Sequence, residues 1–459
     1  ERCGVSCHHR PLLGISYFVL RTSSFALLVP PQLISAFGLF VMIFLAWLMS
    51  SHKRKIPWRV IVGGLALQFA LAIFILWTPP GKIIFAALGD FFHQLLEYVK
   101  AGSFFVFGVH PQAGDAELPP NYVLLRSFAF GVLPTIIFFA SLMSVLYWFG
   151  LVQLVVRWIA VVMQWTLGTS GAESLSAAAN VFVGHTEAPL VVRPYISGMT
   201  RSELNALMVG GFATISGGLL GVYANMGIDV GHLLTASVIS APAALLIAKV
   251  MQPEVDAPET LGEVKIHVER RGVNAVEAAA IGASDGLKLA LNIGAMLIAF
   301  LALIAMLDAI VGWTGSMFGW AAALGGWAEE GWDPNWSLSA AMGYAFAPVA
   351  WLMGIEAKDC LAAGELLGVK MFANEFVAYH QLGTWLKEDS PVQLAERSQY
   401  ILTYALSGFS NFGAIGIQIG GIGGLAPNRT SDLAQLGVRA MLGGAIVCCM
   451  TACVAGILI

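Results

Sequence analysis

Apolar runs long enough to cross a bilayer, separated by short polar breaks, dominate the chain from residue 32 onward. The pattern predicts spans over 32–50, 58–78, 124–150, 203–226, 230–250, 285–311, 398–424 and 436–459. Between them lie amphipathic stretches at 81–100 and 152–166, which fit an interface better than a membrane core. Two further segments, 171–196 and 357–383, are apolar enough to enter the membrane but carry several polar and charged residues. A lipid-exposed helix would not tolerate that set, whereas a re-entrant hairpin buried in protein would. The expected fold is therefore all-α and polytopic, with eight transmembrane helices, two opposed re-entrant hairpins, interfacial helices and an inverted repeat.

The two hairpin segments share an octapeptide. Residues 180–187 read NVFVGHTE and residues 374–381 read NEFVAYHQ. Each copy precedes a Gly-rich break inside an apolar run, GGFATISGGLLG at 210–221 and SGFSNFGAIG at 407–416. Paired, Gly-interrupted segments in corresponding places of two halves mark a transporter binding site.

Composition strengthens the membrane reading. The 459 residues are 58% hydrophobic and only 11% charged, against roughly 25% charged in soluble domains. Mean hydropathy is +0.76. No basic cluster suggests nucleic acid. The six cysteines, Cys3, Cys7, Cys360, Cys448, Cys449 and Cys453, show no zinc spacing, and the last three read as small packing residues of a helix. No phosphate-cradling P-loop, GxSxG elbow or HExxH is present, and the hairpins hold no aspartyl dyad, so an enzyme is not expected.

Charge sets the orientation. The HKRK loop at 52–55, Arg157, the linker 265–271 and Arg429 fall on one side, which is cytoplasmic by the positive-inside rule. The first hairpin then enters from inside and the second from outside. Residues 1–31 form an atypical segment, broken by Arg21, and their basic residues do not follow this scheme. The expected divisions are 32–150 as mainly scaffold, 151–251 as a first transport repeat, 252–311 as linker and scaffold helix, and 312–459 as a second transport repeat.

Glu187 and Glu365 are carboxylates inside apolar hairpins, and intramembrane ionisable groups are functional by default. Glu173 and Glu375 read rather as hairpin-end or backbone-satisfying groups. Two carboxylates suit a ligand rich in hydroxyl and N–H donors. Asn180, Thr186, Asn374 and Asn411 add neutral donors and acceptors. Freed carbonyls at the first break, around Thr214 and Ile215, make an all-oxygen place for a small cation. Phe409, in the second break, is placed to stack on a planar ligand or to pack.

At these residues the sequence resembles the concentrative nucleoside transporter family, its bacterial members most. GHTEAPLVVRP at 184–194 is similar to the family's first-hairpin motif, and GVKMFANEFVAY at 368–379 to its longer signature. SAAANVFVG, LALNIGAMLIAF and GGIGGLAP extend the likeness, which runs from about residue 32 to the end. The resemblance implies a homotrimer in a bacterial inner membrane that imports nucleosides such as uridine with sodium, by an elevator-type movement of a transport part. It implies that His185, Thr186 and Glu187 face the nucleobase, that Leu219 and Phe409 pack on the ligand, and that Glu365 and Asn411 hold the ribose. It implies sodium bound by Asn180, Thr214 and the carbonyls of Val183 and Ile215. Two positions depart from the family pattern: His185 stands where Gln is expected, and Ala414 where a ribose-facing Ser is expected. Sodium is the expected coupling ion, with proton coupling as the alternative.

Overall fold

The computed structural model describes residues 29–108, 128–261, 272–324, 336–387 and 389–459. Those residues form helices and turns and no strand. The first helix, α1 (Pro31–Leu48), opens with proline at its first position, where the missing N–H costs nothing. Then come α2 (Trp58–Trp77) and α3 (Pro79–Phe107), the latter capped by the Thr78 hydroxyl accepting from Gly81 N at 3.2 Å. α3 contains the expected amphipathic stretch 81–100 and continues two turns past it. A π turn at Phe128–Val132 leads into α4 (Leu133–Trp148), followed by the amphipathic α5 (Leu151–Leu167). The start of the expected third span, 124–127, lies outside the described residues.

The first expected hairpin is α6 (Gly171–Ala179), a non-helical tip, and two short helical turns, Ala188–Val191 and Arg193–Ile196. The next span is broken into α7 (Arg201–Ala213) and α8 (Gly217–Asn225), and α9 (Val230–Met251) follows. α10 (Ala275–Leu324) runs for 50 residues, well beyond the expected 285–311, because the small-residue stretch ahead of that run continues the same helix. α11 (Leu338–Leu352) precedes the second hairpin, α12 (Cys360–Phe372) and α13 (Glu375–Trp385). A second broken span, α14 (Glu396–Leu406) and α15 (Phe412–Leu425), and the long α16 (Thr430–Leu458) complete the order. Hairpin, broken helix and long helix thus occur in the same order twice. The Trp-rich stretch 326–335 and the linker residues 262–271 lie outside the described residues.

Seven helical stretches among the described residues are long and apolar enough to cross a membrane. Neither α14 nor α15 reaches that length alone. Burial separates the spans sharply. The apolar window of α9 is 94% buried and that of α10 is 0% buried, so α9 is the centre of the packing and α10 its rim.

α1 and α2 pack on the centre, not on the rim. Trp77 Nε1 donates to Leu458 O at 3.0 Å, and Gln68 Nε2 to Thr451 Oγ1 at 3.4 Å, tying α2 to α16. Arg439 of α16 donates to Met49 O and Met251 O, and so caps the freed carbonyls where α1 and α9 end. Arg397 of α14 repeats the device at Gly354 O and Gly456 O, beyond α11 and near the end of α16. α10 instead lies along α4, where Ser141 Oγ donates to Ala279 O at 2.9 Å.

Candidate functional site

Hairpin tip one is built by a turn that its own carboxylate closes. α6 ends at Asn180, and Glu187 N donates back to Gly184 O at 3.0 Å. Glu187 Oε2 in return accepts from Gly184 N at 3.3 Å. Thr186 and Glu187 remain exposed, and His185 is half-buried. Both His185 ring nitrogens are buried without a hydrogen-bond partner. The ring meets Phe409 at 4.6 Å between centroids and 67° between planes. The Thr186 methyl lies over α15, 3.8 Å from where a Cβ on Gly421 would stand.

The first break sits directly against this tip. α7 stops because Thr214 turns extended (φ −127°, ψ 160°), and Ser216 restarts the helix by accepting from Gly218 N at 3.3 Å. Gly217 N donates to Phe182 O at 3.0 Å, joining break and tip backbone to backbone. A Cβ on Gly217 would come 2.5 Å from that same carbonyl oxygen, so only glycine permits the approach. Asn180, Val183, Thr214 and Ile215 are all buried, at 1%, 1%, 2% and 0% exposure. Thr214 Oγ1 donates to Gly210 O at 3.0 Å. Asn180 Oδ1 is buried with no donor, and its amide nitrogen lies 2.9 Å from where a Cβ on Gly210 would be. The sequence-chosen cation ligands are therefore one neighbourhood of neutral oxygens. Among the described residues no cluster of three His, Cys, Asp or Glu offers a transition-metal site.

The second break is held by two charged residues of hairpin two. Lys370 Nζ donates to Ala405 O at 2.8 Å, capping the end of α14. Asn411 caps α15, its Oδ1 accepting from Ala414 N at 2.8 Å. Its Nδ2 donates to Glu375 Oε2 at 3.2 Å, while Glu375 Oε1 accepts from Tyr223 Oη at 3.3 Å. Glu375, which the sequence marks only as a structural group, thus fixes the side chain expected to meet the ribose. Glu365, half-buried on α12, accepts from Gln381 Nε2 of α13 at 2.7 Å, not from Asn411. Gln381 is the last letter of the second octapeptide, and its sequence context gives it no role. Leu219 and Phe409 are buried, at 4% and 7% exposure.

The two breaks touch. A Cβ on Gly408 would lie 2.7 Å from Phe212 O and 2.6 Å from Cys448 Sγ. Cys448, on α16, sits 3.3 Å from Ser407 O and 3.7 Å from Ala213 O, the carbonyls freed at either break. A cavity of about 240 Å³ lies beside tip one. Phe182, Glu187, Ser216 and Gly218 line it together with Tyr147 of α4 and Asp285 of α10.

The octapeptide echo does not survive as geometry. NVFVGHTE is the non-helical tip itself, with Asn180 closing α6. NEFVAYHQ is almost wholly helix α13, with Asn374 as its N-cap accepting from Val377 N at 2.9 Å.

Comparison with known proteins agrees with this layout. Family profiles described as "Na+ dependent nucleoside transporter N-terminus", "Nucleoside recognition" and "Na+ dependent nucleoside transporter C-terminus" match residues 37–110, 129–229 and 232–456. The mouse sodium/nucleoside cotransporter 1 is 42% identical over 94% of this chain, which spans 64% of that protein's length. An uncharacterized transporter of Haemophilus influenzae is 42% identical over 93% of this chain and 97% of its own. The solved structure of CNTnw in an inward-facing substrate-bound state superposes with a TM-score of 0.83 at 38% identity, over 93% of this chain and 98% of that one. A doubly substituted CNTnw in an outward-facing state gives 0.84 at 38% identity, over 93% and 97%. With hairpin tips, helix breaks and buried oxygens in place, and with these likenesses along nearly its whole length, the chain belongs to the concentrative nucleoside transporter family.

Proposed function

We propose that this protein is a sodium-coupled nucleoside symporter of the bacterial inner membrane. The observation that carries the reading is the shared tip. Asn180 and Val183, from the cation neighbourhood, and His185, Thr186 and Glu187, from the ligand-facing set, occupy one eight-residue turn closed by the Gly184–Glu187 bonds. A cation bound by Asn180, Thr214 and the Val183 and Ile215 carbonyls ties that turn to the first break. It thereby orders the side chains that meet the base. Coupling is then reciprocal, since whatever sodium does for nucleoside affinity the nucleoside does for sodium.

In this reading His185 and Glu187 take the base edge with Thr186 beside them. Phe409 and Leu219 supply the apolar faces, and Glu365 and Asn411 accept and donate to the ribose hydroxyls. Glu365 is held by Gln381 and Asn411 by Glu375. The moving body comprises both hairpins, both broken helices, α9 and α16. α1 and α2, both bonded to α16, are assigned in this reading to the moving body, within the segment 32–150 that the sequence reads as mainly scaffold. The frame is then α4 and α10, with the exposed face of α10 left for lipid and for two further copies of the chain in a homotrimer. The broken pair α14 and α15 counts as the eighth span. Support for an elevator step comes from CNTnw, whose structures include inward-facing, intermediate and outward-facing states.

Calorimetric titration of uridine into the purified protein tests the coupled site. Affinity should rise at least tenfold when sodium replaces choline, a typical coupling between sites. Equal affinity in both salts would overturn the shared-tip reading.

A further inference from the structure

Hairpin one is fastened at its root by a segment that the function above does not use. The four N–H groups at the start of a helix lack intrahelical partners and must find others. At α6 they are all matched. Gly171 N donates to Thr260 O at 2.9 Å and Ala172 N to Thr260 Oγ1 at 3.1 Å. Glu173 N donates to Ser170 Oγ at 3.4 Å, and Ser170 N to Glu173 Oε1 at 2.6 Å. Two of the four partners therefore belong to the linker that follows α9.

The same linker is bonded along its length. Gln252 O accepts from Ser202 Oγ at 2.6 Å, and Glu254 Oε2 accepts from Thr200 Oγ1 at 3.0 Å. At the centre stands Lys249, in the last turn of α9, with its side chain 5% exposed. Its ammonium lies 2.7 Å from Glu173 Oε2 on the hairpin, 3.0 Å from Glu254 Oε2 on the linker and 2.9 Å from Ser202 Oγ at the start of α7. Glu203 adds a further tie, accepting from Ser170 Oγ at 2.6 Å. One lysine thus joins three elements, and Glu173 sits seven residues before Asn180 on the same helical segment, about 10 Å along its axis.

We propose that Lys249 and the linker 252–261 form a strap that locks the root of hairpin one, so that Lys249 is a positioning residue for the sodium ligand Asn180. The argument is mechanical. α6 is a single stiff element only nine residues long, fastened at one end by Lys249 and Thr260 and carrying Asn180 at the other. Loosening the root lets the whole element shift, which misplaces Asn180 before it disturbs Glu365 and Asn411 on the far hairpin and break. The proposal rests on Asn180 binding sodium, and the experiment separates the two.

Three variants, Lys249→Met, Lys249→Arg and Glu254→Gln, are reconstituted as the full chain. Uridine uptake is measured against sodium, and limited trypsin digestion reads cleavage at Lys265, Arg270 and Arg271. Lys249→Met should raise half-saturating sodium about tenfold while uridine KM at saturating sodium changes less than twofold. Lys249→Arg should recover most of the sodium response. Glu254→Gln, at a partly exposed site that tolerates the change, should speed linker cleavage several-fold and shift half-saturating sodium in the same direction. Equal loss of sodium and uridine response, or unchanged cleavage in Glu254→Gln, overturns the strap. If wild-type uptake ignores sodium, the functional reading fails, and the cleavage result alone decides the strap.

Discussion

The imidazole of His185 stands edge-on to the ring of Phe409, 4.6 Å between centroids, joining the first hairpin tip to the second helix break. Neither residue's own repeat supplies that contact. Both imidazole nitrogens are buried with no protein hydrogen-bond partner, which leaves them open to a base edge. A neutral imidazole offers one donor and one acceptor, so it can stand in for the expected Gln amide with altered direction.

Glu365→Gln keeps the size and removes the charge that Gln381 Nε2 now meets at 2.7 Å. Uridine uptake should fall to background while the purified protein elutes unchanged in size-exclusion chromatography. Uptake at the wild-type level would remove Glu365 from the site.

Glu187→Gln acts at the base end. Its carboxylate accepts from Gly184 N, so the turn keeps an acceptor after the change. Uridine KM should rise about tenfold, equal to the ~1.5 kcal/mol of one hydrogen bond to a charged group. A larger effect on the sodium response than on KM would assign Glu187 to the cation instead.

Glu375→Gln tests the orientation of Asn411. The buried carboxylate accepts from Tyr223 Oη and from Asn411 Nδ2, and a glutamine can accept with only one of its two ends. Uridine affinity should drop, whereas truncating the other partner in Tyr223→Phe should weaken it less, because Asn411 keeps its acceptor. Equal effects of the two changes would show that Asn411 is not the residue through which Glu375 acts.

Gly408→Ala places a methyl 2.6–2.7 Å from Cys448 Sγ and Phe212 O, where the two breaks meet. Overpacking of this kind costs about 2 kcal/mol. The melting temperature of the purified protein should fall, whereas Gly416→Ala, inside helix α15 with nothing within 4 Å of the new carbon, should leave it unchanged or raise it. A similar fall in both would trace the loss to glycine chemistry in general and not to the contact between breaks.

What the sequence discloses here follows from local rules. Intramembrane carboxylates are costly, so Glu187 and Glu365 stand out as candidates. Glycine clusters inside apolar runs announce the breaks near Thr214 and Asn411. Partners that are distant in the chain leave no such mark. Glu375 reads as a hairpin-end carboxylate because nothing local connects it to Tyr223 or Asn411. Gln381 reads as a helix residue because its acceptor stands on the opposite arm. The octapeptide shows the converse error: similar letters produce a tip at Asn180 and a helix cap at Asn374, since the surrounding packing decides which. The packing of α1 beside α16 includes Arg439 reaching Met49 O, a contact between residues far apart in sequence that no periodicity encodes.

The central claim, that the first hairpin tip couples a cation to a nucleoside, is tested most directly by uphill transport. Purified protein in proteoliposomes would be given radiolabelled uridine at equal concentration inside and out, with an inward sodium gradient imposed. Uridine should accumulate above its external concentration, stop when sodium is replaced by choline, and stop in Asn180→Ala. Accumulation that persists in choline and follows an imposed proton gradient would contradict the sodium claim, and equilibration without accumulation under either gradient would contradict coupling itself.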